Sequence, residues 1–189
     1  MPVEIFPYNP NWPNEFKTIA TTLRTGLGDR ALRIDHIGST SVPGLAAKDI
    51  IDLQISVAAL NDQVIKAMTT LGYSQAEGIW RDHCPPTFVG PDSEWEKLYF
   101  REPAGHRRSN THVRVLGRAN QRYPLLFRDY LRTHKPTAEA YAELKRRLAA
   151  DLADWQTYPD VKDPAVDLIY FAAEDWAKAT QWTPGPSDA

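Results

Sequence analysis

Apolar residues along this chain recur first at helical spacing, then in alternation, then at helical spacing again. Trp12, Phe16, Ile19, Ala20, Leu23 and Leu27 stand three or four apart, which predicts an amphipathic helix over 13–27 with Pro13 in its first turn. Leu32, Ile34 and His36 alternate with polar neighbours and predict a short strand running into Gly38. Residues 50–57 are rich in Ile, Leu and Val, too short for a typical helix, and predict a mostly buried strand. Asn61 or Asp62 caps a helix that reaches Leu71, with Gly72 at its C-terminal end. Strand-like patterns follow at Phe88-Val89, at 97–101 and at 111–115; a polar loop carrying His106, Arg107 and Arg108 separates the last two.

From Asn120 onward the period is helical again. Leu125, Leu126 and Tyr130 mark one helix, and Pro136 opens a second that carries Tyr141, Leu144, Leu148 and Leu152. Asp163-Pro164 has the form of a start signal for a third, with Val166, Ile169, Tyr170 and Ala173. Strands first and helices last predict one α+β domain over residues 1–180 with a helical C-terminal bundle. Residues 181–189 read as a frayed tail.

One position breaks the apolar run at 50–55. Asp52 is costly to bury there unless something pairs with it. Twelve residues separate it from Gly38-Ser39, a glycine turn with a hydroxyl that offers backbone donors and little bulk, which suits a phosphate. A plainer reading is that Asp52 only hydrogen-bonds the turn and braces it.

Composition removes several classes of function. Twenty-two Lys and Arg against 24 Asp and Glu leave a net charge of −2, which disfavours a nucleic-acid partner or a membrane surface. No apolar stretch approaches the roughly 20 residues that span a bilayer. The N-terminal residues lack the form of a secretory signal, and the single Cys84 cannot form an internal disulfide, so a reducing cytoplasm is expected. P-loop and dinucleotide-binding glycine patterns are absent from the sequence. His83-Cys84 is too little for a zinc site. Trp80, Trp95, Trp155, Trp176 and Trp182 could stack a base, but scattered tryptophans are more often core.

Several strings carry a family resemblance: His36-Ile-Gly-Ser-Thr-Ser-Val-Pro-Gly-Leu-Ala-Ala-Lys48, Ile51-Asp52-Leu53, Leu71-Gly72-Tyr73, Thr111-His112-Val113, 126–132 and Tyr141-Ala142-Glu143-Leu144-Lys145. Together with Tyr8-Asn-Pro-Asn-Trp12 they closely resemble the GrpB-like family of the nucleotidyltransferase superfamily, from about residue 3 to 175. The resemblance implies a nucleotidyltransferase-like mixed sheet with C-terminal helices. It also implies nucleotide or coenzyme A chemistry, since some members are fused to dephospho-coenzyme A kinase. In the superfamily, two acids on one strand hold divalent metals, because alternate strand residues share a face. Here those positions are Asp52 and Gln54, and a third ligand from a neighbouring strand falls best on His112. His112 could equally be a satisfied core histidine.

The resulting expectation is a transferase moving a nucleotidyl or phosphoryl group from a nucleoside triphosphate with Mg2+. Asp52, Gln54 and His112 would form its metal and catalytic set. Gly38, Ser39 and Thr40 would hold phosphate; Lys48, Arg114, Arg128 and Arg132 would neutralise it. The alternative is a non-catalytic module that binds a nucleotide or another phosphorylated small molecule at a degenerate metal site. Gln54, a poor ligand for a hard cation, favours it. Arg128 and Arg132, four apart on one helix, could instead tie that helix to the sheet by ion pairs.

Overall fold

The computed structural model describes residues 3–189, apart from the Trp155 side chain. Helix α1 (Trp12–Leu27) buries Trp12, Phe16, Ala20, Leu23 and Leu27, the stripe its spacing predicts. Strand β1 (Arg33–Ile37) and β2 (Ile51–Val57) follow, joined through a 3-10 turn at Ser39–Ser41. Helix α2 (Asp62–Thr70) starts where the Asn61 side chain accepts a hydrogen bond from the Val64 amide. Strands β3 (Ser74–Gln75), β4 (Leu98–Arg101) and β5 (Ser109–Val115) complete a sheet of order β1-β2-β5-β4-β3. The β2–β5 pair is parallel and the other pairs are antiparallel, so the sheet is mixed. Helices α3 (Ala119–Thr133), α4 (Lys135–Asp151) and α5 (Tyr158–Thr180) end the chain.

Each face of the sheet has its own partner. Ile34, Ile51, Leu53, Ile55, Phe100 and Val113 join α1 and α2 in one apolar core. A second core lies among α3, α4 and α5, with Val42, Leu45 and Ala46 inserted from the loop before β2. Between them runs the opposite sheet face. The parallel register sets Asp52 beside Asn110, Gln54 beside His112 and Ser56 beside Arg114. This polar face, roofed by the C-terminal helices, positions the site.

Three expectations fail. Phe88-Val89 is not a strand: Pro85, Pro86 and Pro91 lack amide donors, Val89 is 95% exposed, and the Phe88 ring meets Trp95 edge-on. Helix α5 begins at Tyr158, so Pro164 lies inside it. Pro159 supplies the start, and Pro164 forfeits one hydrogen bond in a helix long enough to bear it. The tail does not fray either. The Ser187 hydroxyl accepts from the Ile34 amide at 2.9 Å, Asp188 from the His36 amide at 2.9 Å, and the Ala189 amide donates to the Ile34 carbonyl. Of the tryptophans weighed for stacking, Trp95 is buried, Trp176 and Trp182 pack on the helical core, and Trp80 is exposed. The Trp155 side chain lies outside the described residues.

Candidate functional site

A cleft of about 450 Å3 opens at the start of the β2–β5 pair; Ser39, Lys48, Asp52, His112, Lys145 and Lys162 are among its walls. Its floor is Asp52. One carboxylate oxygen accepts from Asn110 Nδ2 at 2.7 Å, and the Asn110 amide is oriented by donors from Tyr99 and Arg101 on its own oxygen. The other lies against Gly38, where φ is 68° and a Cβ would overlap the carboxylate. The turn is therefore glycine for two reasons, the backbone conformation and the close approach. Burial pushes the Asp52 carboxyl up, while Asn110, Lys162, Lys48 and Lys145 pull it back only in part.

Three lysines surround Asp52, and Asp163 of α5, beside Lys162, is a further acid in the cleft wall. Lys145 on α4 donates to Ser39 Oγ at 2.8 Å and to the Ala46 carbonyl, with its ammonium 4.7 Å from the centre of the Tyr141 ring. Lys48 sits 4.0 Å over the Tyr158 ring, and Lys162 projects from the first turns of α5. Burial lowers all three, and repulsion from Lys162 adds to it at Lys48 and Lys145; Lys145 falls to about 7, with burial the largest cause and Lys162 the next, while Asp163 and Asp52 partly offset burial at Lys162. Desolvated cations that repel one another are what an incoming anion relieves.

The charged groups beside the cleft are already paired, whereas the buried Ser56 hydroxyl on the same face has no partner among the described residues. Asp82, from the long β3–β4 connection, accepts from Lys97 at 2.6 Å, from Arg114 at 2.8 and 2.9 Å, and from Asn120 at 3.1 Å. Burial alone would raise its carboxyl, but Arg114 and Lys97 hold it well below the usual carboxylate range. Arg114 also donates to Gln54 Oε1 at 2.7 Å, and Gln54 Nε2 donates to the Gln121 carbonyl at 3.0 Å. The Nδ1 of His112 lies 3.2 Å from Arg114 and 3.4 Å from Lys97. Burial, then these two cations, push the imidazole well below its ordinary value.

The sequence-predicted residues therefore divide. Ser39, Lys48, Asp52 and His112 line the cleft, over the Gly38 turn. Gln54 and Arg114 lie beside it, turned into the Asp82 network. Thr40 is buried against His36 Nε2 at 2.9 Å. Arg128 and Arg132 are elsewhere: Arg128 binds the His36 carbonyl, Asp129 and Asp188, and Arg132 binds the Ser41 carbonyl twice. They tie α3 to β1 and its following turn, the ion-pair alternative of the sequence reading. Sequence reasoning missed Asp82, Lys97 and Lys162 as site residues, and met Lys145 only inside a family string. A signal for two of them existed: Tyr141-Ala-Glu-Leu-Lys145 and Tyr158-Pro-Asp-Val-Lys162 repeat a Tyr-Lys pair four apart, and on a helix such pairs share a face.

The residues do not fit Mg2+. A hard divalent cation takes oxygen ligands, and Asp52 is the one such group facing the cleft at the expected acid positions. Gln54 offers an oxygen already bonded to Arg114, and His112 offers a nitrogen between two cations. No cluster of three or more His, Cys, Asp or Glu suited to a metal occurs among the described residues.

A family model described as GrpB protein matches residues 2–171. The chain belongs to the GrpB family. Among solved structures, this GrpB-family chain is similar to conserved protein GrpB from Enterococcus faecalis, with a TM-score of 0.70, 28% identity, 92% of this chain and 99% of that one covered. It also resembles the Cid1 poly(U) polymerase in its MgGTP-bound form, with a TM-score of 0.51 at 13% identity over 76% of this chain and 44% of that one, which shows a nucleotidyltransferase-like fold. Among curated proteins, it is 37% identical to a dephospho-CoA kinase of Mycolicibacterium paratuberculosis, over 97% of this chain and 49% of that protein. It is 36% identical to UPF0157 protein PA4798 of Pseudomonas aeruginosa, over 88% of this chain and 66% of that protein. The chain thus spans about half the length of the kinase it matches. No helix among the described residues is long and apolar enough to cross a membrane.

Proposed function

We propose that this GrpB-family protein binds the phosphate groups of a nucleotide or coenzyme A-type molecule in its lysine-walled cleft, without a divalent metal. The observation that carries this reading is the convergence of Lys48, Lys145 and Lys162 on one carboxylate, with the second acid position of the strand filled by an engaged Gln54. In a two-metal transferase, carboxylates hold cations and cations hold phosphates. Here the ammonium groups supply the positive charge themselves. Lys145 holds the Ser39 oxygen as an acceptor, which leaves the hydroxyl proton free to turn toward a bound phosphate. The similarity to a dephospho-CoA kinase agrees with a phosphorylated small molecule as ligand.

Calorimetric titration of ADP in EDTA and again in excess Mg2+ tests the reading. Binding is expected in EDTA and to weaken about tenfold or more in Lys48→Met or Lys162→Met, as loss of a charge-assisted hydrogen bond requires. Asp52→Asn keeps the shape of the floor and removes its charge, so it should bind ADP at least as tightly. Binding that appears only with Mg2+ and disappears in Asp52→Asn would overturn the proposal in favour of a metal-dependent transferase.

A further inference from the structure

A second cavity of about 690 Å3 adjoins the cleft, sharing Lys48 and Pro159 with it; Phe6, Ile50, Arg107 and Arg108 line it, together with the acids Glu4 and Asp49. The first cavity alone is within the size range of small-molecule sites, so the second is room for another part of the ligand. Its two arginines differ in kind. Arg107 is committed, donating to Glu15 at 2.7 Å and to both the side chain and the carbonyl of Asp49. Arg108 is exposed and has no acidic partner among the described residues. Nor is it a loose loop residue: its carbonyl accepts from the Ile51 amide at 3.1 Å, which fixes its backbone at the start of the β2–β5 pair. Its charge is close enough to Lys48 to be felt there. Glu102, the nearest acid in its own loop, is turned to the Ser109 amide at 3.1 Å.

The cationic cleft thus adjoins a cavity that carries apolar Phe6 and Ile50 and the unpaired guanidinium of Arg108. We propose that the ligand is a nucleotide carrying a second phosphate on its ribose: the 5′ phosphates enter the lysine cleft, Arg108 takes the second phosphate, and the nucleoside lies in the second cavity against Phe6 and Ile50. Arginine suits this place because its planar fork meets two phosphate oxygens at once. The inference rests on the phosphate-binding reading above and adds the ligand class.

A cycle of two ligands and two proteins tests it. ADP and adenosine 3′-phosphate 5′-diphosphate are titrated by calorimetry against wild type and Arg108→Ala, an exposed substitution that leaves the fold intact. In wild type the extra phosphate is expected to tighten binding about tenfold, the worth of one charge-assisted contact. In Arg108→Ala that gain should vanish while ADP affinity holds within twofold. An extra phosphate that adds nothing in wild type, or an Arg108→Ala loss equal for both ligands, overturns this inference and leaves cleft binding standing. Failure of wild type to bind either ligand overturns both readings.

Discussion

Gly38 shows how one residue sets the chemistry of the cleft. Its positive φ and the absence of a Cβ let the Asp52 carboxylate lie against the turn, so the acid is partly desolvated and held beside Ser39. Gly38→Ala would add left-handed strain and an overlap with a buried carboxylate. The expected destabilisation is about 3 kcal/mol, read from urea denaturation. Lys145 is the second decisive residue. In the free protein burial and Lys162 hold its amine near 7, with Arg146 and Lys48 also lowering it and Asp52 raising it. A bound phosphate favours the ammonium, so its pKa rises on binding and a proton is taken up. Between pH 7 and the higher bound value, ADP affinity is therefore expected to fall as pH rises, by up to about tenfold per unit. Titrations in buffers of different ionisation enthalpy should show proton uptake at pH 8, and Lys145→Met should abolish it.

Strands β2 and β5 are the elements that make the site, because their shared register puts every second side chain on one polar face. This much was legible from the sequence: a short run rich in Ile, Leu and Val identified β2, and Asp52 stood out because it interrupts that run. Helices α1, α2 and α3 were legible for the same reason, their stripes and caps being local. The start of α5 was not, since Asp163-Pro164 carries the same start signal as Pro159, the proline in the first turn that the helix uses. Asp82 was not legible at all. It belongs to an irregular connection, and its meaning depends on Lys97, Arg114 and Asn120, which the chain brings to it from 15 to 38 residues away. Arg128 and Arg132 were legible as a shared helix face with two readings, phosphate binding or a tie to the sheet, and the choice between them rests on Asp188, Ser41 and the His36 carbonyl, which are distant in sequence. The Asp82 network makes its own prediction. Asp82→Asn leaves buried Lys97 and Arg114 without their carboxylate, at a cost of about 3–5 kcal/mol. Thermal denaturation should show a large loss of stability, and Lys97→Met in the Asp82→Asn background should restore part of it.

At the scale of the whole molecule, two apolar cores sandwich a polar sheet face, and the C-terminal segment ties their edges together. Strand β1 is the edge of the sheet, so its outward amides and carbonyls need partners. Ser187, Asp188 and Ala189 supply them at Ile34 and His36, and Arg24 on α1 reaches the Ala189 carbonyl at 2.6 Å. Asp188 does more than cover an edge. It also accepts from Arg128 at 2.7 Å, and Arg128 is 3% exposed and bonded to the His36 carbonyl, so one carboxylate fastens β1, α3 and the tail at a single point. None of these groups lines the cleft, which separates the stability of the frame from the affinity of the site. Asp188→Ala is expected to cost about 1–3 kcal/mol, because a buried guanidinium loses one of its two carboxylates and an amide loses its acceptor. The loss should appear as a lower urea midpoint and faster hydrogen exchange at the His36 amide. ADP affinity should stay within twofold of wild type. A matching fall in affinity would instead mean that the β1 edge and the cleft move together, with the Gly38–Ser41 turn between them as the coupling element.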